Sequence, residues 1–272
     1  MKQAALLRST ALAFAVSLAL AGCGSNHKSA APAAPSGNHN SSGSSSNNAP
    51  AQPSGSAGVA HNPSGQSLAR PDVHTADSAY TTLHSNTHIM YYYEAYRATP
   101  PDYKAMATAI SRQYRATSDV FKKHALMKDL KPIMDKKMAE ARAHPYVAWP
   151  TQNLTLSNYS FHRHGFALTG NSLLTGDYEY FSNYYSNGAT SFTSITLRNA
   201  KQFAFLPVNN EALAKKIEHY VSHGNNCLVK VYMFVNGASL SRQRVKADGV
   251  KIQLFSPNKK LLLTQYARHF GN

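Results

Sequence analysis

The chain has 272 residues, 28 Lys and Arg against 13 Asp and Glu, and a formal net charge of +15. All but four of the cations and all but one of the acids lie beyond Thr75. That leaves about 197 residues, enough for one domain or two small subdomains, carrying nearly all of the charge. No Gly-x-Ser-x-Gly elbow, His-Glu-x-x-His pair or phosphate loop occurs, so the signatures of the common serine hydrolases, zinc peptidases and nucleotide-binding enzymes are missing.

Lys2 and Arg8 precede "TALAFAVSLALAG", an apolar run the size of a signal-peptide core. It is shorter than the roughly 20 residues a spanning helix needs. The run ends in Leu20-Ala21-Gly22-Cys23, and polar sequence follows at once. These four residues resemble the bacterial lipoprotein box, in which a signal peptidase cuts before the cysteine and the thiol is lipidated. The resemblance implies that residues 1–22 are removed as a signal peptide, that Cys23 is the lipid attachment site, and that the protein is moored to a membrane. Several acyl chains give stable anchoring, at about 0.8 kcal/mol per buried methylene. Gly24 stands where an aspartate would bias sorting. By resemblance to Gram-negative lipoproteins this favours the outer membrane, facing the periplasm, with the cell surface as the other location. The plainer reading of the same residues is a secretory signal with an incidental cysteine.

From Cys23 to Thr75 the chain is rich in Gly, Ser, Asn, Ala and Pro, with Val59, Leu68 and Val73 as its large aliphatics. Such a segment buries too little apolar surface to offset chain entropy, and a disordered tether is expected. A flexible chain of this length spans roughly 40 Å. His27, His39, His61 and His74 are too far apart to act as one metal-binding tract.

Residues 76–145 have a helical period. Tyr80, Leu83, Thr87, Met90 and Tyr91 share a face, and Pro100-Pro101 ends that helix. Tyr103, Met106, Ile110 and Tyr114 trace a second stripe, Ser118-Asp119 opens a third helix, and Pro132 suits the first position of a fourth. From residue 146 the period becomes two. "QNLTLSNY", "TSFTSITLR", "QFAFLPV", "CLVKVYMFV", "VKIQLFS" and "LLLTQYA" read as strands, the fourth half-buried, and Ser256 to Lys259 as a hairpin turn. One helix, "NNEALAKKIEHYVSHG", interrupts them. Asn209 or Asn210 caps it, Leu213, Ile217, Tyr220 and Val221 face inward, and Gly224 ends it. The expected class is α+β: short N-terminal helices, then a mostly antiparallel sheet or sandwich with one inserted helix, residues 146–272 packing with 76–145 as one domain. The succession "LSNYSFHRHGFAL", "FAFLPVNNEALAKKIEHY", "CLVKVYMFV" and "VKIQLFSPNKKLLL" resembles an uncharacterised bacterial envelope domain family. That resemblance implies no catalytic residue.

Three constellations invite a chemical role. "DYEYFSNYYSNGATSF" gathers Tyr178, Tyr180, Tyr184 and Tyr185, which as an exposed platform would stack on sugar rings; the same residues also suit an ordinary strand. Asp177 and Glu179 are the acids set among those aromatics, but they are too close in sequence to flank a glycosidic bond. His219, His223 and Cys227 have the spacing of three zinc ligands. Against that, Lys215 and Lys216 would repel a cation, His223 suits a helix C-terminus, and Cys227 suits a buried strand. His162 and His164 share one face if "SFHRHGF" is a strand, where they read as surface residues. With Cys23 lipidated, Cys227 has no partner for an intramolecular disulfide.

Outside the cytosol a basic domain meets anionic polymers and head groups before it meets nucleic acid. The expectation is a non-enzymatic envelope lipoprotein that needs no cofactor. Its module would bind or scaffold peptidoglycan, lipopolysaccharide or anionic lipid, and no nucleic acid. A solvated basic surface without a dedicated partner is the plain alternative. A glycan or lipid hydrolase and a metal-handling protein are the competing functional classes.

Overall fold

Six helices and nine strands occupy residues 70–181 and 193–270, which the computed structural model describes. The signal peptide, Cys23, most of the tether, Tyr184 and Tyr185 lie outside the described residues. All described residues belong to the unit Ala60–Asn272. The class is α+β, with four helices ahead of a mostly antiparallel sheet.

Side-chain caps set the helical half. Ser85 accepts a hydrogen bond from the His88 amide and opens α1 (Asn86–Tyr96). Asp102 accepts from Ala105 and opens α2 (Tyr103–Ile110). Ser111 closes α2 with its own amide and opens α3 (Arg112–Ala116) by accepting from Tyr114. Asp119 accepts from Phe121 and Lys122 and opens α4 (Val120–Ala143). Each cap satisfies an amide that lacks a partner inside its helix, and replacing one by Ala costs about 1 kcal/mol.

These caps revise the periodic reading. The first helix starts at Asn86; Tyr80 to Leu83 are extended, and β1 (Thr81–Thr82) runs parallel to β2 (Tyr146–Leu156). The Tyr103–Tyr114 stripe is two helices because Ser111 interrupts it. Pro132 lies inside α4 and does not open a new helix. Pro132 has no N–H for the Lys128 carbonyl, and both residues are exposed, where the lost helical bond costs less than in a core. Beyond the proline, buried Met134, Met138 and Ala141 keep α4 packed on α1.

Antiparallel β2, β7 (Cys227–Ser239) and β8 (Arg244–Phe255) form the centre of the sheet. β1 and β3 (Gly165–Gly170) share the outer edge of β2, and β3 pairs with β6 (Phe205–Pro207). Gly165 is required there, since a Cβ would meet the Leu206 carbonyl oxygen at 2.2 Å. Parallel β5 (Ser194–Leu197) and antiparallel β9 (Leu261–Tyr266) share the outer edge of β8. β4 (Tyr178–Glu179) pairs with β5. The four-residue α5 (Ser172–Thr175) follows β3, and α6 (Glu211–Ser222) precedes β7. Asn210 caps α6, Ile217 is buried beneath it, and Gly224 takes a φ of 69° just past its end.

Both faces of the central strands are covered. On one, Val147, Trp149, Val231, Met233 and Ile252 join the core under α1. On the other, the segment ahead of α1 crosses the sheet as a strap. Tyr80 packs edge-on against Tyr146 and Tyr232, with centroids 5.3 and 4.8 Å apart. Lys251, 5% exposed, sends its ammonium to Asp77 (2.7 Å) and to the Thr75 carbonyl (2.8 Å). Tyr232 Oη and Gln253 Nε2 also donate to Asp77 Oδ2. β7 is therefore buried on both faces, because the strap hides Tyr232 and Phe234 as the helices hide Val231 and Met233.

Candidate functional site

The short edge strand β4 carries the predicted aromatic and acidic residues, and its alternation separates them. Tyr178 lies opposite Thr196, and Glu179 opposite buried Ile195, so Glu179 is on the core-facing side and Tyr178 on the other. The Arg244 guanidinium covers the Tyr178 ring at 4.0 Å, and Tyr180 stacks beside it at 6.3 Å. Arg244 thus occupies a ring face that a sugar would need. Asp177 accepts from the Tyr178 amide through Oδ1 and does not line the cleft that Glu179 enters. The two carboxylates do not converge.

That cleft has a volume of about 740 Å³. One wall is the β2 segment Thr151 to Asn153, just past a register shift against β7 between Trp149 and Gln152. Pro150, which lacks an amide donor, sits in the shift, and such a bulge re-aims the side chains that follow. The facing wall is Gly170, Asn171 and Ser172, between β3 and α5. Asn171 ties the walls together: its Oδ1 accepts from the Leu174 amide (3.2 Å), and its Nδ2 donates to Gln152 Oε1 (3.0 Å). Glu179, Leu228 and Lys259 complete the lining.

Of the proposed metal ligands, the His219 and His223 rings lie together, with centroids 4.2 Å apart, but the three do not form one set. His223 Nδ1 donates to the His219 carbonyl at 2.8 Å and caps the end of α6. Cys227 is 1% exposed in β7, opposite Leu154, and burial pushes its thiol up to about 11. No group of three His, Cys, Asp or Glu side chains among the described residues is placed to hold a metal. His162 and His164 lie in a turn instead of on a strand. The Ser160–Gly165 bridge reverses the chain there, and His164 adopts a φ of 51°.

The basic surplus is most concentrated on α4. Its stretch from Val120 to Ile133 contains Lys122, Lys123, Lys128 and Lys131, with Asp129 as its only acid. Lys131 pairs with Asp135 at 2.7 Å, and Lys123 lies over the Tyr114 ring at 5.6 Å. Lys122, Lys128 and, further on, Lys136 make no ion pair among the described residues. Phe121 is 89% exposed and Val120 75%, so an apolar tip projects amid ammonium groups. The tip was not singled out from sequence because helical periodicity does not reveal which turn overhangs the core. No described helix is long and apolar enough to cross a membrane. No family model matches the chain, and no curated protein or solved structure is detectably similar to it.

Proposed function

We propose that this chain is a cell-envelope lipoprotein, anchored through Cys23, whose α+β domain is a non-enzymatic module for an anionic envelope polymer or lipid. The observation that carries this reading is the start of α4: Phe121, 89% exposed, on the same helix as Lys122 and Lys128, which have no ion-pair partner among the described residues. An exposed aromatic on a lysine-rich helix combines apolar burial at an interface with attraction to its negative charge. Seating Phe121 contributes about 1.5–3 kcal/mol, and each lysine near an anionic surface about 1 kcal/mol. Together these exceed what scattered surface charge supplies, and they orient α4 toward the surface it meets.

The test uses the Cys23→Ser chain, which cannot be acylated, in cosedimentation with phosphatidylglycerol vesicles, phosphatidylcholine vesicles, lipopolysaccharide and peptidoglycan. Binding to anionic partners that weakens with salt, and about tenfold more with Phe121→Ser, is expected. Absence of binding to every anionic partner at low salt discards the reading. The anchor is checked separately, by intact mass of the mature chain.

A further inference from the structure

We infer that the cleft between β2 and the β3–α5 turn is a saccharide-binding site, distinct from the basic surface of α4. Glu179 carries the inference furthest. Of the thirteen Asp and Glu, eleven cap helices, pair with cations or accept backbone amides. Only exposed Asp129 and Glu179 have no hydrogen-bond or ion-pair partner among the described residues. Glu179 is half-buried on the core-facing side of its strand, where a carboxylate without donors is costly. It opens into a cavity that can supply donors.

The rest of the lining indicates what those donors belong to. Asn153 presents an amide that is both donor and acceptor, Gln152 has its NH2 group and Asn171 a second N–H beyond the bond that joins them, and Thr151 and Ser172 add hydroxyls. Sugar hydroxyls likewise donate and accept at once, so such a surface fits them better than it fits a phosphate or an aliphatic chain. Among the described residues Leu228 is the only aliphatic side chain in the lining, which argues against a lipid tail. Lys259 supplies an ammonium from the β8–β9 turn, where its φ of 58° and the hydrogen bond from its backbone N–H to the Ser256 carbonyl fix the backbone. The volume falls within the range of small-ligand pockets, about 300–1,000 Å³, and suits one or two sugar rings. Asn171 pre-sets the cleft, because the amide that caps α5 also pins Gln152. Tyr178 and Tyr180 take no part, since they leave β4 on its other side.

The simpler role for Glu179 is to guard an edge strand, for which inward charges are a known device. Amide-resolved NMR titration of the full Cys23→Ser chain with triacetylchitotriose and with maltotriose separates the two. Saturating shifts at Gln152, Asn153, Asn171 and Ser172 with at least one sugar are expected. Glu179→Ala should weaken that binding about tenfold or more, the loss of a charged hydrogen bond. Lys259→Asn, which tolerates the positive φ, should weaken it less, and Tyr180→Ala should leave it unchanged. The inference is overturned by no saturation up to about 20 mM sugar, by equal affinity in Glu179→Ala and Lys259→Asn, or by shifts centred on Tyr180. Aggregation of Glu179→Ala together with no saturable sugar shifts in Lys259→Asn assigns Glu179 to edge protection and also overturns it.

Discussion

Lys251 ties the strap to the sheet, and its replacement isolates what a buried ammonium contributes. Lys251→Ala removes three buried methylenes, about 2.4 kcal/mol at about 0.8 each. It also removes a charged hydrogen bond to the Thr75 carbonyl, about 1.5 kcal/mol. The pair with Asp77, whose side chain is 48% exposed, adds under about 1 kcal/mol. Regained hydration of the ammonium in the unfolded state no longer opposes folding, so the net loss is about 3 kcal/mol. Lys251→Met keeps the stem between Tyr80 and Tyr232 and leaves Asp77 its donors from Gln253 and Tyr232. That variant should lose only about 1 kcal/mol. Urea unfolding of both variants, compared at equal m-value, reads the difference. A cost for Lys251→Ala below about 1 kcal/mol, or a larger cost for Lys251→Met than for Lys251→Ala, refutes the assignment of most of the effect to packing.

Packing and charge elsewhere in the domain set further outcomes. Gly249→Ala should destabilise by about 1–3 kcal/mol in thermal or urea unfolding, because its Cβ would meet Phe203 Cε2 at 2.6 Å. Cys227 should react with a thiol reagent at the rate of global unfolding, since burial raises its pKa to about 11 and leaves little thiolate at neutral pH. Stability should fall in two steps on acidification. Burial, with help from His84 and Lys137, lowers the His88 imidazole, so its share is present above about pH 6.5 and is lost as pH drops through the folded value. At Asp77, burial raises the carboxyl, but Lys251, Gln253 and Tyr232 outweigh it and hold the group low. Its share is lost only below about pH 4. His88→Asn should remove the first step from a urea-midpoint profile against pH and leave the second.

Where local chemistry decides structure, the elements could be read from the chain. α6 combines a cap at Asn210, an apolar stripe through Ile217 and a glycine stop, and the three agree. The Ser256–Lys259 turn is equally local. Decisions made by distant partners could not be read. Tyr80 looks like part of a helical stripe with Leu83, yet the two join opposite sides of the sheet because Ser85 caps late and Tyr232 and Tyr146 accept Tyr80. Pro132 reads as a start, and only packing of Met134 and Met138 makes it an interior residue. Glu179 could be picked out as an acid among tyrosines, but its cleft depends on a bulge in β2 and a turn after β3. Neither leaves a mark near residue 179.

The strap also determines how the domain meets tension. Chain entering from before Arg70 reaches the domain through Asp72–Thr82, and β1 lies parallel to β2 with Leu83 bonded to Ala148. A pull along β1 strains those bonds side by side, in shear, while the Lys251–Asp77 pair and the Tyr80 contacts resist alongside them. A domain gripped in this way takes an incoming pull first on its leading segment, across several contacts at once.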